Sequence, residues 1–329
     1  MPLARIARRA GALLLTAVGL LPISGTAHAD TAATYSAVVF PDQSHSLVYD
    51  FINSATTSVD VTMYELRDTS AVNALIGRQR AGVQVRVILD GKHTSVNGAA
   101  FSALRSAGAG VTYSSSAYVY THQKTVTVDG VKSLVMTGNL DANYYATGRD
   151  FGVFDTDAND VAAIEQVFAA DYAKTAITPS DGDNLVWSPT DSESRLLALI
   201  NGAQTSLDLE QLEFGDQALV DAVAAAAGRG VTVRVVGMNP SYYGTYFDQV
   251  TAAGGRIVTY STTTSLYIHA KTIVADYGTS SAKVFAGSEN FSDNSLNNNR
   301  ELGLITTDAG VLSTLESTFA TDFANGLPY

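Results

Sequence analysis

Two histidines, each followed two residues later by a lysine, are the residues of this chain whose types and spacing point to chemistry. His122 and Lys124 form the first pair, and His269 and Lys271 form the second. On an extended strand, residues two apart project to the same face, so each imidazole is expected beside an ammonium group. Imidazole acts as a nucleophile or as an acid and base near neutral pH, and an ammonium group supplies positive charge for an anionic phosphoryl group. The two pairs therefore predict a phosphate-handling site.

A short polar turn follows each pair. It reads MTGN over residues 136–139 and GSEN over residues 287–290. Met136 takes the position of a glycine, which at such a turn usually provides a positive φ angle or a close approach, and we interpret the methionine as a packing residue. Both turns carry a hydroxyl and an amide that can donate to phosphate oxygens: Thr137 with Asn139, and Ser288 with Asn290.

The stretch from His269 to Asn290 resembles the HxK(x)4D(x)6GSxN signature of the phospholipase D superfamily. It departs from the signature in one respect, since ten residues rather than six separate Asp276 from Gly287. We expect the four extra residues to form a longer turn around residues 277–280. The first copy keeps the spacing of the family without an insertion.

The resemblance implies a mechanism and a role for each motif residue. One histidine attacks phosphorus to give a phosphohistidine, and the other protonates the leaving alcohol and then activates water or an acceptor alcohol. His122 is expected to be the nucleophile and His269 the acid and base, although the near-symmetric sequence leaves that order open. No metal or other cofactor is implied. The other assignments are Lys124, Lys271, Asn139, Asn290, Thr137 and Ser288 around the phosphate, Asp150 and Glu301 as the carboxylates that orient the imidazoles, and Asp129 and Asp276 as structural residues.

The elements that must position these residues occur twice. Residues 51–66 read FINSATTSVDVTMYEL and residues 199–214 read LINGAQTSLDLEQLEF, which indicates an internal duplication. Alternating helical and β-branched segments predict an α/β sandwich in each half. The resemblance implies that the two domains pack about a pseudo-two-fold axis with one shared active site. The predicted boundaries are a signal peptide at 1–29, a first domain at 33–178, a linker at 179–184 and a second domain at 185–329.

The first thirty residues differ from the rest. Three arginines precede an apolar run at 11–21 and a small-residue pattern at 25–29, which is typical of a secretory signal peptide cleaved after Ala29. The run is shorter than the roughly 20 residues that a spanning helix needs. Removal of residues 1–29 changes the net charge from −12 to −15, because these residues include three arginines and no acidic residue. The chain has no cysteine, which excludes disulfides and thiolate catalysis, and the protein is expected to be secreted.

The leading hypothesis is a phospholipase D-type phosphodiesterase that hydrolyses a phospholipid, or transfers its phosphatidyl group, at a membrane or micelle surface as a monomer. The first alternative is a metal-independent nucleic-acid phosphodiesterase of the same superfamily. The acidic charge argues against it, because binding nucleic acid depends on Lys and Arg. The second alternative is a non-catalytic phosphate- or lipid-binding module. The nuclease requires a basic stripe beside the site, for which the sequence offers Lys132, Arg149, Arg256, Lys283 and Arg300.

Several residues outside the motifs receive simpler predictions. His45 and His93 are expected to be surface or loop residues, and Trp187 to pack at the domain junction. The strand that follows Lys271 is expected to be half-buried. Aromatic residues near the histidines either line a substrate pocket or reflect strand propensity, and an aromatic patch follows Pro240; these residues are Tyr118, Tyr120, Tyr267, Tyr242, Tyr243, Tyr246 and Phe247.

Overall fold

The computed structural model describes Met1, residues 34–260 and residues 266–329. The signal peptide predicted over residues 1–29 lies, apart from Met1, outside the described residues. Residues 34–329 form one compact unit. Across the described ranges, no helix is both long enough and apolar enough to cross a membrane.

The first half alternates strands and helices as the repeated pattern predicts. Its last helix begins where the Asp157 carboxylate accepts hydrogen bonds from two backbone N–H groups of the first turn, which stabilises the helix start. The elements are β1 (Tyr35–Phe40), α1 (Ser46–Asn53), β2 (Ser58–Met63), α2 (Thr69–Arg80), β3 (Gln84–Leu89), α3 (Thr94–Ser106), β4 (Gly110–Tyr113), β5 (Lys124–Val128), β6 (Lys132–Met136), β7 (Gly148–Asp155) and α4 (Ala158–Ala173).

The second half repeats this series, and Asp308 caps its last helix in the same way. Its elements are β8 (Leu185–Ser188), α5 (Ser192–Gly202), β9 (Ser206–Gln211), α6 (Gln217–Gly228), β10 (Thr232–Met238), α7 (Pro240–Ala252), β11 (Arg256–Tyr260), β12 (Tyr267–Ile268), β13 (Lys271–Ala275), β14 (Lys283–Gly287), α8 (Asp293–Asn297), β15 (Glu301–Thr306), α9 (Ala309–Asn325) and β16 (Leu327–Pro328).

Both halves build a mixed sheet with the same strand order. The first sheet runs β1-β7-β6-β5-β2-β3-β4, and the second runs β8-β15-β14-β13-β9-β10-β11 with β16 added at its edge. In the first sheet β2 pairs in parallel with β3, and β3 with β4. In the second sheet β9 pairs in parallel with β10, and β10 with β11. The other neighbours among these seven strands of each sheet are antiparallel. The short strand β12 of the second half pairs with β7 of the first. The predicted α/β fold with two duplicated domains is confirmed.

The buried apolar residues form three clusters. One lies within the first half and one within the second. The third contains residues of both halves, among them Phe151 of β7, Trp187 of β8 and Leu302 of β15, so it forms a shared core between the two sheets. Trp187 therefore packs at the junction as predicted, and its indole N–H donates to the Ser180 carbonyl at 2.9 Å. This shared core places the two histidine motifs on opposite sides of one interface.

The strand β13 departs from expectation, because all of its residues are buried. Ile273 belongs to the core of the second half, whereas Val274 belongs to the shared core. The half-buried prediction is wrong because both faces of this sheet are covered. The predicted longer turn is confirmed: residues 276–282 connect β13 to β14, whereas residues 129–131 connect β5 to β6.

Candidate active site

The two histidines meet at the interface, and each is held by a carboxylate of the opposite half. His122 Nδ1 lies 2.8 Å from Glu301 Oε2, and His269 Nδ1 lies 2.9 Å from Asp150 Oδ1. A carboxylate accepts, so Nδ1 of each ring carries the hydrogen and Nε2 keeps its lone pair. The pairing is thus crossed between the halves, and each of these two histidines depends on the other half for its carboxylate.

The backbone repeats the crossed arrangement. The His122 N–H donates to the Arg300 carbonyl at 2.9 Å, and the His269 N–H donates to the Arg149 carbonyl at 3.1 Å. The guanidinium groups of these arginines are buried in ion pairs that also join the halves. Arg149 Nε lies 2.5 Å from Asp322, and Arg300 Nε lies 2.8 Å from Asp171. These contacts fix the peptides from which the imidazoles extend.

Both motif lysines are fully buried behind the imidazoles. Lys124 donates to the His122 carbonyl, and Lys271 donates to the His269 carbonyl at 2.5 Å and to the Thr137 carbonyl at 3.3 Å. Burial lowers the pKa of Lys124 to about 7 and that of Lys271 to about 8. Both ammonium groups therefore lose charge close to neutral pH.

Burial also sets the charge of the imidazoles. It lowers the pKa of His122 to about 4 against the opposing effect of Glu301, and it lowers the pKa of His269 as well. Burial alone raises the pKa of Asp150 and of Glu301, but their contacts with the histidines and lysines outweigh it and the net pKa is lowered. The unliganded site thus holds neutral imidazoles against ionised carboxylates.

The hydroxyls of the polar turns form hydrogen bonds with the strands that carry the two carboxylates. Thr137 Oγ1 donates to Asp150 Oδ1 at 2.6 Å and accepts from the Phe151 N–H at 2.9 Å. Ser288 Oγ accepts from the Leu302 N–H at 3.1 Å, and its hydrogen bond lowers the pKa of Glu301. Both side chains are buried behind the carboxylates because each turn packs against the neighbouring carboxylate-bearing strand. Neither Thr137 nor Ser288 is among the residues that line the two cavities, and their contact with the phosphate stays a prediction.

The turn that contains Met136 accommodates this large side chain because the large residue and the glycine have exchanged positions relative to the second turn. Met136 is buried and pairs across the sheet with Gly152, just as Gly287 pairs with Gly303. The reason for Gly287 is a close approach rather than a positive φ angle, because a Cβ there would overlap with Gly303 and with the Glu289 carboxyl. In the first half the large side chain stands at 136 and glycine at 138. In the second half glycine stands at 287 and glutamate at 289.

The motif aspartates face away from the histidines. Asp129 accepts hydrogen bonds from the backbone N–H groups of residues 56–58, and Asp276 accepts from those of residues 204–206. Each has a left-handed backbone, with φ of 56° and 55°. The aspartates therefore connect the turn after the histidine strand to the segment that begins the neighbouring strand.

Two cavities open onto the histidines. The first, of about 250 Å³, is lined by both imidazoles and by both amides of the polar turns. The second, of about 480 Å³, shares Tyr64, His122, Glu213 and Asn290 with the first. Tyr120, Tyr242, Tyr243 and Tyr246 also line the second cavity. The remaining lining residues of the first are His45, Tyr64, Glu65, Asp141, Tyr144, Tyr145, Gly148, Asp150, Leu212, Glu213 and Tyr267.

Residues that sequence reasoning missed lie in the first cavity. His45 lies in the turn before α1, as the loop prediction expects, but its place in the cavity was missed. Its ring stacks between Phe40 and Tyr145 at centroid distances of 4.0 and 3.4 Å, and burial lowers its pKa to about 4. Glu65 and Glu213 are aligned by the internal repeat and follow the ends of β2 and β9. That match was the available signal, because the ends of central strands are common places for functional residues.

The other histidine and the aromatic residues near the motifs lie in different surroundings. His93 lies in the loop before α3, as predicted, and its Nε2 lies 3.1 Å from the hydroxyl of Tyr64, a residue that lines both cavities. Tyr267 lines the first cavity, and Tyr118 packs on the Arg300 guanidinium. Within the aromatic patch Phe247 is fully buried in the core of the second half, whereas Tyr242 is 78% exposed at the second cavity.

None of the five basic residues named for the nuclease alternative, Lys283 included, lines either cavity. Arg149 and Arg300 are buried in ion pairs. The side chains of Lys132 and Arg256 lie over Phe154 and Phe323. Residues 34–260 and 266–329 contain no group of three or more acidic, histidine or cysteine side chains arranged to hold a metal ion.

Comparison with known proteins identifies relatives of both halves. A family model described as "Cardiolipin synthase, PLD-like domain" matches residues 48–172 and 196–323, which confirms the resemblance found in the motifs. The mitochondrial cardiolipin hydrolase of Danio rerio is 31% identical over 97 residues, and the match covers 30% of this chain but only 42% of that relative.

Two solved structures share the fold over most of the chain. Polyphosphate kinase from Porphyromonas gingivalis has a TM-score of 0.69 at 14% identity, over 88% of this chain and 50% of that one. Phosphatidylserine synthase from Haemophilus influenzae has a TM-score of 0.68 at 12% identity, over 89% of this chain and 86% of that one. At these identities the likeness concerns the fold alone.

Proposed function

The chain belongs to the phospholipase D-like family described as cardiolipin synthase, PLD-like domain, and on that premise we propose that it is a secreted phospholipase D-type phosphodiesterase. It hydrolyses the headgroup phosphodiester of a phospholipid presented in a membrane or micelle, or transfers the phosphatidyl group to an alcohol. The observation that carries this proposal is the crossed pairing of the two histidines with Glu301 and Asp150 at one cavity.

The proposed reaction has two displacements. The phosphodiester binds between the imidazoles, near the ammonium groups and the amides of Asn139 and Asn290. His122 Nε2 attacks phosphorus, the bond to the leaving oxygen breaks, and the imidazolium form of His269 gives that oxygen its proton. His269 then takes a proton from water or an alcohol, whose oxygen attacks phosphorus and breaks the P–N bond. The negative charge of the bound phosphodiester favours the imidazolium form of His269, and this imidazolium is the acid of the first step.

The nucleophile is assigned to His122 for three reasons. The family resemblance gives this role to the first motif, and burial lowers the pKa of His122 to about 4, which keeps its lone pair available throughout the neutral range. Glu301 also has more support than Asp150, since its second oxygen accepts hydrogen bonds from Ser295 at 2.7 Å and Asn299 at 3.0 Å. A carboxylate fixed in this way favours the imidazolium that forms as His122 becomes bonded to phosphorus.

The alternatives are disfavoured by specific features. A nuclease needs cations along its substrate, but the named arginines are buried in ion pairs and the cavity walls carry carboxylates. A non-catalytic binding module needs no crossed histidine–carboxylate pairs, whose construction from two halves serves proton transfer.

Incubation with phosphatidylcholine vesicles and with plasmid DNA, both in EDTA, tests the choice of substrate. The expected result is released choline, or a new phosphatidyl ester when ethanol is present, with intact DNA. Rapid quenching with a phospholipid labelled at phosphorus should also trap an acid-labile phosphoprotein. Cleaved DNA without lipid turnover supports the nuclease instead. The absence of both turnover and a phosphoprotein overturns the proposal and leaves the binding module.

A further inference from the structure

We propose that the first cavity selects phosphodiesters that carry an ammonium group, and that Glu65 and Glu213 are the carboxylates that recognise this cation. The inference rests on the proposed function and deepens it by naming the substrate class. It excludes a nucleic-acid backbone and a lipid with an uncharged polyol headgroup as preferred substrates.

The two glutamates are placed equivalently by the duplication. Glu65 follows β2 and Glu213 follows β9, each two residues beyond the end of the strand. Both side chains are partly exposed and both line the first cavity, while Glu213 also lines the second. Neither takes part in an ion pair with another described residue. Their charges therefore face the ligand space and are available to a cation.

The balance of charge around the histidines favours a zwitterionic ligand. The lysines contribute two ammonium groups, which already face Asp150 and Glu301. Glu65 and Glu213 add two further negative charges at the cavity, and no lysine or arginine of the described residues is among its lining. A phosphodiester without a cation would add another negative charge, whereas an ammonium group beside the phosphate offsets those of the glutamates.

Aromatic walls complete the recognition of a cation. Four tyrosines line the first cavity, and the rings of Tyr144 and Tyr267 lie 5.9 Å apart at 34°. Tyrosine faces attract ammonium groups, most strongly where water is excluded. Burial raises the pKa of Tyr267 to about 12, so this ring remains neutral. The walls therefore suit the methyl groups of a quaternary ammonium as well as its charge.

Asn290 indicates independently that a polar ligand occupies this space. Its side chain is only 5% exposed and lines both cavities. Its Oδ1 has no hydrogen-bond partner among the described residues. A buried amide oxygen without a donor is unfavourable, so a ligand group with an N–H, such as a primary ammonium, gains affinity by donating to it, which a quaternary ammonium cannot do.

The test compares two lipids that share the phosphodiester and differ in the cation. Phosphatidylcholine and phosphatidylglycerol are each presented in the same uncharged detergent micelles, and kcat/KM is measured for both. We expect the wild-type protein to prefer phosphatidylcholine by at least about tenfold, and Glu65→Gln and Glu213→Gln each to reduce that preference about tenfold. The ratio is informative because an altered lysine pKa affects both lipids alike. Glu193→Gln, which removes the same charge from α5 away from either cavity, should keep the wild-type ratio.

Choline itself is a second probe that does not depend on turnover. Calorimetry should detect choline binding to the wild-type protein and about tenfold weaker binding to Glu213→Gln, with thermal unfolding as the check on folding. An unchanged lipid ratio in both glutamine variants, with both lipids hydrolysed, overturns the inference and leaves the proposed function intact. Release of neither headgroup overturns the proposed function, and the choline measurement then decides the inference on its own.

Discussion

The two halves of the site each hold a histidine, a lysine, a hydroxyl, an asparagine and a carboxylate in the same order, but they support their carboxylates differently. Asp150 uses one oxygen, Oδ1, for both Thr137 at 2.6 Å and His269 at 2.9 Å. Glu301 keeps Oε2 for His122 and receives Ser295 and Asn299 on Oε1. The longer side chain thus separates the bond to histidine from the bonds that hold the carboxylate. The two halves therefore share the contact between carboxylate and imidazole but differ in the groups that hold the carboxylate in place.

The polar turns differ in a complementary way. Each turn has room for one large side chain, which is Met136 in the first half and Glu289 in the second. Burial raises the pKa of Glu289 well above its usual range, which favours the neutral form of this buried carboxyl group. Each turn therefore combines one large side chain with one glycine, so the summed side-chain volume is similar in the two halves although the large residue stands at a different position.

Replacement of the histidines gives the largest expected effect and separates the two roles. Both His122→Ala and His269→Ala should lower turnover of phosphatidylcholine by about 10³-fold or more, since each removes a group of the reaction. With a nitrophenol leaving group, which needs no acid, His269→Ala should still accumulate the phosphoprotein, whereas His122→Ala should form none. Rapid quenching measures this difference. Accumulation in His122→Ala alone reverses the assignment of nucleophile and acid.

The repeat in the sequence predicts which residue types meet, but not which half supplies each partner. His122 and His269 have equivalent surroundings along the chain, so either carboxylate fits either imidazole on sequence grounds. The crossed pairing depends on the shared core, where β7 and β15 approach the opposite motif. Such packing between domains leaves no local pattern in the sequence.

Side-chain direction is the other limit. The hydroxyls of Thr137 and Ser288 turn toward the neighbouring strand, which depends on pairing between residues far apart in the chain. His45 lies before the repeat and has no aligned partner that would reveal its stacking in the cavity. By contrast, the turn of residues 276–282 was predictable because an insertion changes the spacing within a known register.

Removal of one carboxylate charge should distinguish the two halves kinetically. Asp150→Asn and Glu301→Gln should each lower kcat by about a hundredfold, because the imidazole loses the partner that fixes its tautomer and stabilises its charge. Glu301→Gln should mainly slow the formation of the phosphoprotein, and Asp150→Asn should slow both steps that use His269. Single-turnover measurements resolve the two phases. Asp42→Asn is the control, since this carboxylate is 58% exposed and pairs with Arg149 instead; equal slowing by all three variants contradicts the crossed assignment.

The lysines predict a loss of activity at alkaline pH. A lysine is charged below its pKa, so the lowered pKa values of about 7 for Lys124 and about 8 for Lys271 mean that charge is lost as the pH rises through that window. The value of kcat/KM reports the protonation state of the free enzyme, and at pH values above this window it should fall up to about tenfold per pH unit. The profile of kcat should shift to higher pH, because a bound anion stabilises the ammonium groups. A flat kcat/KM between pH 6 and about 9 contradicts the expectation.

The smallest effects come from two glycines whose added methyl groups would meet different neighbours. A Cβ at Gly287 would overlap with the backbone of Gly303, which cannot move without disturbing the sheet, so Gly287→Ala should lower the free energy of unfolding by about 1–3 kcal/mol. A Cβ at Gly138 would overlap with the Asp150 carboxylate, the movable end of a side chain.

Gly138→Ala should therefore change stability less and instead lower kcat by about tenfold, because Asp150 is displaced from His269. Urea unfolding and steady-state kinetics on both variants measure the two responses. Gly77→Ala is the matched control, since its Cβ would meet no neighbouring atom in helix α2 and alanine favours a helix interior. Loss of stability without loss of kcat in Gly138→Ala would show that the first turn, like the second, serves packing more than the placement of its carboxylate.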